Sequence, residues 1–194
     1  MTAASLAGRY DGHQTEMAAG LELGADGRFR YGLAYGALDE QAAGSWTYDG
    51  SRVWLTSDPV AAPQFVLLAA TPLQTGTLKV ALDLPQGMNR QYFKALIRLA
   101  DGRSMERQFG DEGLDVQLGP SERVVSVALL LPVYGLEGEP APLAGSPGGD
   151  AHFRFDPNDL GKVAFAREPL LVSPDGLRLE RLGRTIVFRR AADE

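Results

Sequence analysis

An all-β fold is what this sequence predicts, and three observations predict it. Short runs of alternating apolar and polar residues recur along the chain, about 8–12 residues apart. Asp-Gly pairs fall between several of them and supply the positive φ that tight hairpin turns require. No stretch carries the i, i+3, i+4 apolar spacing of a long amphipathic helix, and no repeat of fixed period is present. The 23 Gly and 12 Pro among 194 residues suit many short strands joined by tight turns.

The first third of the chain carries the clearest strands. Residues 6–13 form a short candidate centred on Tyr10, and residues 17–23 a second with Leu21 and Leu23 on one face. Ala25-Asp26-Gly27 is a hairpin turn. Residues 29–35 then alternate, with Phe29, Tyr31, Leu33 and Tyr35 on one face and Arg30, Gly32 and Ala34 on the other. Residues 36–41 are expected to be a connection. Strand 43–48 carries Gly44-Ser45-Trp46, Asp49-Gly50 turns the chain, and strand 52–56 follows before Asp58-Pro59.

From residue 62 the texture changes. Candidates 65–69, 78–84, 92–99, 104–109, 114–118 and 124–131 are on the whole more apolar, and their spacing is that of a small β-sandwich. Residues 135–149 (GLEGEPAPLAGSPGG) lack periodicity and read as a long mobile loop. A short strand at 151–155 and a turn at Asp156-Pro157-Asn158-Asp159 come next. Strand 162–166 and a hairpin of 177–182 with 185–190 across Gly183 end the chain.

Composition narrows the function. The formal charge of −6 argues against a nucleic-acid partner. The absence of cysteine removes thiol catalysis, disulfides and thiolate metal sites, and fits a periplasm or a cytosol equally. No apolar run reaches the ~20 residues of a membrane-spanning helix. The Ala/Ser-rich opening, Met1-Thr2-Ala3-Ala4-Ser5, is expected of a chain whose signal peptide has been removed. Lysine occurs only at 79, 94 and 162, a bias towards arginine common in GC-rich bacteria.

Chemical signatures are sparse. His13 and His152 are the only imidazoles, and His13 with Asp11 and Glu16 reads as an exposed polar turn, since zinc needs three or four ligands. Ser45 lacks the setting of a catalytic serine. Asp39-Glu40 reads as a solvated loop pair unless a further acid faces it across a cleft. Arg90, Tyr92, Phe93, Lys94 and Arg98 read as a strand with one solvated face rather than a stacking platform. The acidic turn at 156–159 lacks the spacing of a calcium loop. No metal, cofactor or catalytic residue is assigned, and the chain is expected to be non-enzymatic.

Gly8 and Tyr10, then Asp26, Gly27 and Phe29, then Gly44 and Trp46, then Asp49, Gly50, Val53 and Leu55, with GLRLERLGRTIVFRR near the end, resemble small bacterial lipocalin-like (calycin-type) barrels of the cell envelope. The resemblance implies an antiparallel barrel built from residues 1–62 and 162–194, five strands from the first and three from the second. Residues 63–150 would be an inserted prealbumin- or immunoglobulin-like sandwich, with 151–161 connecting back. It also implies that Arg189 or Arg190 lies over Trp46. It implies a periplasmic or secreted protein that takes a small apolar ligand in the barrel, contacted by Tyr10, Tyr31, Tyr35 and Trp46. Core filling is the preferred role for these aromatics, because short strands need bulky side chains to close a barrel. The alternative function is a protein–protein interaction module that meets another envelope protein through the sandwich and the 135–149 loop.

Overall fold

The computed structural model describes residues 2–191. It is all-β, 61% strand and 5% helix, with a closed eight-stranded antiparallel barrel and two further sheets. The chain divides into two compact units, one formed by residues up to Ala61 together with those from Gly161 onward, the other by Ala62–Leu160.

The barrel strands are β1 (Gly8–Asp11), β2 (Met17–Leu23), β3 (Arg28–Tyr35), β4 (Leu38–Tyr48) and β5 (Arg52–Ser57), then β15 (Ala166–Ser173), β16 (Gly176–Arg181) and β17 (Arg184–Arg190). Their order around the wall is β1-β17-β16-β15-β5-β4-β3-β2. The seam joining the two chain segments pairs β1 with β17, Tyr10 opposite Arg190. The second segment also meets the first through β15 on β5. Alternate residues point inward. On β2 every second residue from Met17 to Leu23 is buried, and on β3 Phe29, Tyr31 and Leu33 are buried while Arg28, Arg30 and Ala34 are exposed. A short helix, α1 (Ala3–Leu6), capped by Thr2, places Leu6 in the same core.

Two expectations for this unit are corrected. Residues 36–41 are not a connection: β4 begins at Leu38 and pairs with β3 without a break from Tyr35↔Leu38 to Arg28↔Ser45. The polar sequence Asp39-Glu40-Gln41 hid a strand whose ladder bonds come from backbone alone. The expected strand at 162–166 is not one either, except that its last residue, Ala166, begins β15. Only Lys162 makes a single parallel bridge, to Gln41, and the strand proper is β15. The return segment 161–165 lies along the part of β4 that β5 leaves uncovered. Gln41 N–H donates to Gly161 O, Val163 N–H to Gln41 O, and Ser57 N–H to Phe165 O. This closes the wall where the chain leaves for the second unit and comes back.

The second unit has one sheet ordered β10-β7-β14-β6 and another ordered β12-β11-β8-β9, with β13 also on β11. Its strands are β6 (Gln64–Leu73), β7 (Thr77–Asp83), β8 (Lys94–Leu99), β9 (Ser104–Gln108), β10 (Leu114–Gln117), β11 (Val124–Leu131), β12 (Leu136–Glu137), β13 (Ala141–Ser146) and β14 (Gly148–Asp156). Both sheets bury side chains in one core around Phe93, Ile97, Leu129, Phe153 and Phe155. The 135–149 stretch is therefore not a mobile loop. β12 and β13 share one edge of β11, and Ala141 and Leu143 are fully buried. Gly138, Gly148 and Gly149 reflect crowding, a Cβ on Gly148 standing 1.9 Å from Thr75 O, whereas Gly135 and Gly145 have open space and positive φ. The expected short strand at 151–155 is part of the longer β14, between β6 and a parallel β7, so the connection back starts only after Asp156. Tyr92 sits in a 3-10 turn, Arg90–Tyr92, ahead of the shorter strand β8. No helix among the described residues is long and apolar enough to cross a membrane.

Candidate functional site in the barrel

The aromatic residues of the sequence reading fall at two ends of the barrel. At the end holding α1, the Tyr10 hydroxyl donates to Leu6 O at 2.6 Å. Arg190 lies over the Tyr10 ring at 6.0 Å and donates to Ser5 O at 2.8 Å and to Ala7 O. Burial raises the Tyr10 pKa, against a smaller lowering by Arg190. Trp46 is buried and its Nε1 donates to Gly24 O at 2.9 Å. Arg190 thus covers Tyr10 and not Trp46, and Arg189 stands opposite Asp11. The expected arginine–Trp46 stack is corrected for a topological reason: β4 and β17 are four strands apart either way around an eight-stranded wall, whereas β1 is the direct neighbour of β17.

The other end holds Tyr31 and Tyr35. The Tyr31 ring packs at 5.2 Å from Phe165 and 6.4 Å from Phe188, both edge-on. Phe165 also lies 6.2 Å from Phe29. Phe165 comes from the return segment rather than from a barrel strand, and Ser57 pins it: Phe165 N–H donates to Ser57 Oγ at 3.0 Å, and Ser57 Oγ donates to Val163 O at 2.8 Å. Arg184 donates to the Tyr35 hydroxyl at 3.1 Å and lies 5.0 Å from its ring.

Between these groups lies an ion pair absent from the sequence reading. Arg181 on β16 grips Glu40 on β4 with two bonds, Nε to Oε2 at 2.9 Å and a terminal nitrogen to Oε1 at 2.6 Å. The Glu40 side chain is 8% exposed and that of Arg181 30%. The expectation of a solvated Asp39-Glu40 pair is therefore corrected for Glu40. Extending the alternation of β4 back from Trp46 through Gly44 and Ala42 places Glu40 on the inner face. An inward carboxylate on a strand was the available signal that a cation had to meet it. The hydrogen bond to Glu40 raises the Arg181 pKa. Burial, then the nearby Glu40 charge, raises that of Tyr31, whose hydroxyl stands 3.5 Å from Oε2.

The arrangement suits closure of the barrel end. Glu40 is engaged on both oxygens by Arg181. The Tyr31 phenol is held protonated. The imidazoles lie apart, His13 with Asp11 at 2.5 Å in the barrel unit and His152 with Asp83 at 2.9 Å in the other. Among the described residues no group of three or more His, Cys, Asp or Glu is placed to hold a metal ion. The 156–159 turn is tied by Asn158 Nδ2 to Ala62 O and by Asp156 to Arg154. Lys94 pairs with Glu106 and Arg98 with Glu137, on the solvated faces of their strands.

Fold and site together define an all-β protein in which a closed antiparallel eight-stranded barrel, plugged at both ends by its own side chains, is interrupted by a two-sheet unit. No protein-family model, curated protein or solved structure matches the chain.

Proposed function

We propose that this chain is a non-enzymatic bacterial envelope protein, lipocalin-like in its barrel, that works as a protein–protein interaction module through its inserted sandwich. The observation that carries this reading is β6, the outermost strand of its sheet, whose ladder partner is β14. Sheet edges are normally guarded by charge. β9 carries Glu106 and Arg107 and β10 carries Asp115, but β6 runs ten residues, QFVLLAATPL, without a charge. Leu67 and Leu68 on it are 42% and 45% exposed. A register shift opposite His152/Phe153 leaves Leu68 without a partner on β14. An extended segment of another envelope protein added to this edge would gain backbone hydrogen bonds and cover both leucines. The 135–149 stretch contributes through sheet β12-β11-β8-β9 rather than as a loop.

The test is cross-linking and co-purification from the native host, comparing wild type with Leu68→Lys. A partner lost in the variant, with unchanged thermal unfolding, is expected. Identical partner sets for both proteins would defeat the reading. Recovery of the protein in the periplasmic fraction tests the envelope location.

A second reading, a small apolar ligand in the barrel, is favoured by Phe165. It is the interior aromatic that a ligand could displace without parting two barrel strands, and Tyr31 would then orient that ligand. Tyr35 would border the same end, whereas Tyr10 and Trp46 lie toward the other. Native mass spectrometry of host-purified protein tests it; a mass equal to that of the bare chain would count against a bound ligand.

A further inference from the structure

The outer wall of the barrel where β5, β15 and β16 run side by side carries a patch that neither reading above uses. Outward residues align across these strands in register: Trp54 opposite Pro169, and Arg52 opposite Leu171 opposite Arg178. Leu171 is 47% exposed, and Arg52, Arg167, Pro169 and Arg178 are exposed. The Arg52 and Arg167 guanidiniums lie over the Trp54 ring at 5.9 and 5.0 Å. Neither is ion-paired to an acid among the described residues, whereas Arg178 meets Asp175 at 3.2 Å.

Two features make this wall more than scattered surface charge. Trp54 is fixed: its Nε1 donates to Asp49 Oδ2 at 2.8 Å, and Asp49 is held by the Ser51 and Arg52 N–H groups of the same turn. Arg167 is placed at a conformational cost. The pairing of β15 with β5 shifts register between Ala166 and Glu168, and Arg167 in that bulge has φ 59°. A non-glycine residue in the left-handed region is uncommon, and a bulge re-aims a side chain. Here the bulge turns the Arg167 guanidinium onto Trp54.

We propose that this wall is a docking site for an acidic protein segment whose carboxylates flank an apolar side chain. The carboxylates would meet Arg52 and Arg167, and the apolar side chain would lie on Trp54 and Leu171. Charge complementarity selects this occupant: two guanidiniums without acid partners among the described residues stand exposed on a chain of formal charge −6, and a planar guanidinium takes a carboxylate bidentately. A rigid tryptophan with arginines is also the composition of protein-binding hot spots. An anionic bilayer fits less well. Clusters of about 4–8 cations mark such surfaces, and Trp54 is tied into the wall rather than projecting from it. The site lies on the barrel unit, so it stands or falls independently of β6.

Isothermal titration of the full chain tests it with three probes: a synthetic peptide in which glutamates flank leucine and phenylalanine, the same peptide with glutamine for glutamate, and phosphatidylglycerol vesicles. The acidic peptide is expected to bind, more weakly at high salt. Arg52→Ala and Arg167→Gly are each expected to reduce affinity by about tenfold, the scale of one charge-assisted contact. Arg167→Gly separates binding from folding. Glycine accepts the left-handed backbone, so this variant is expected to melt at the same or a higher temperature while losing affinity. Absence of binding, equal binding of the glutamine peptide, preference for the vesicles, or unchanged affinity of Arg167→Gly would overturn the proposal.

Discussion

Glu40 and Phe165 are the two residues on which the plugged end of the barrel depends. Removing one partner of a fully buried ion pair costs about 3–5 kcal/mol. Arg181 is 30% exposed, so Glu40→Ala is expected to lower stability by about 1–3 kcal/mol. Replacing both Glu40 and Arg181 with leucine should cost much less than the single change, because no uncompensated charge remains. Urea unfolding of the two single variants and the double variant measures this coupling; additive losses would show that the pair is not a unit. Phe165→Ala removes a ring packed against Phe29 and Tyr31 and is expected to cost about 3–5 kcal/mol, read by the same unfolding curves. The sequence displayed Tyr31 and Trp46 as inward residues because alternation on a strand is local. It could not display Arg181 opposite Glu40, 141 positions away.

At the level of single elements, the glycine of the Gly44-Ser45-Trp46 motif has a definite cause. A Cβ on Gly44 would stand 2.0 Å from Thr56 O, because β4 passes close over the end of β5. Gly44→Ala is expected to destabilise by about 3 kcal/mol, the upper part of the overpacking range. Gly32, outward on β3 with no atom within 4 Å of its would-be Cβ, gives the contrast: Gly32→Ala should be neutral or stabilising by up to about 1 kcal/mol. Thermal melts of the two variants decide; equal behaviour would refute the close-approach argument. The elements misjudged from sequence share one property. Leu38–Tyr48 begins in polar residues, Ala141–Ser146 sits among Gly and Pro, and Ala166–Ser173 contains Pro169, so each is a strand because neighbours supply its hydrogen bonds rather than because its own residues favour extension.

For the whole molecule, charge sets the pH range of stability. Asp11, Asp49, Asp58, Asp101, Glu122 and Asp156 have pKa values lowered, chiefly by hydrogen bonds to their carboxylates. The unfolded chain therefore binds more protons than the folded one in acid. This stabilisation is complete above the unfolded carboxylate range and is lost as pH falls from about 4 through the lower folded values. Tyr10 and Tyr31 have raised values, so the folded chain keeps protons that the unfolded chain loses above about pH 10, and stability falls there as well. Melting temperature followed from pH 2 to 11 should fall at both extremes. Asp49→Asn should flatten the acid limb and Tyr31→Phe the alkaline one; limbs unchanged by these substitutions would contradict the assignment. The two compact units carry separate cores. Asn158 Nδ2 bonds to Ala62 O at 2.8 Å, which brings the ends of the 62–160 unit together. Residues 62–160 alone, and 1–61 joined to 161–194 by a short linker, should each unfold cooperatively in denaturant, and failure of either to do so would show that its core is insufficient by itself.

The sequence by itself determined the all-β class, the Asp-Gly turns, the inward face of β3 and the location of most strands, because period-two alternation and turn chemistry act over a few residues. Tertiary structure alone decided that residues 8–57 and 166–190 close one barrel and that Phe165 enters it from a return segment. It also decided that Glu40 is buried against Arg181, and that Arg190 lies over Tyr10 rather than over Trp46. These depend on which strand edges meet around the wall, and that choice is made by the closure of the whole sheet rather than by any segment of it.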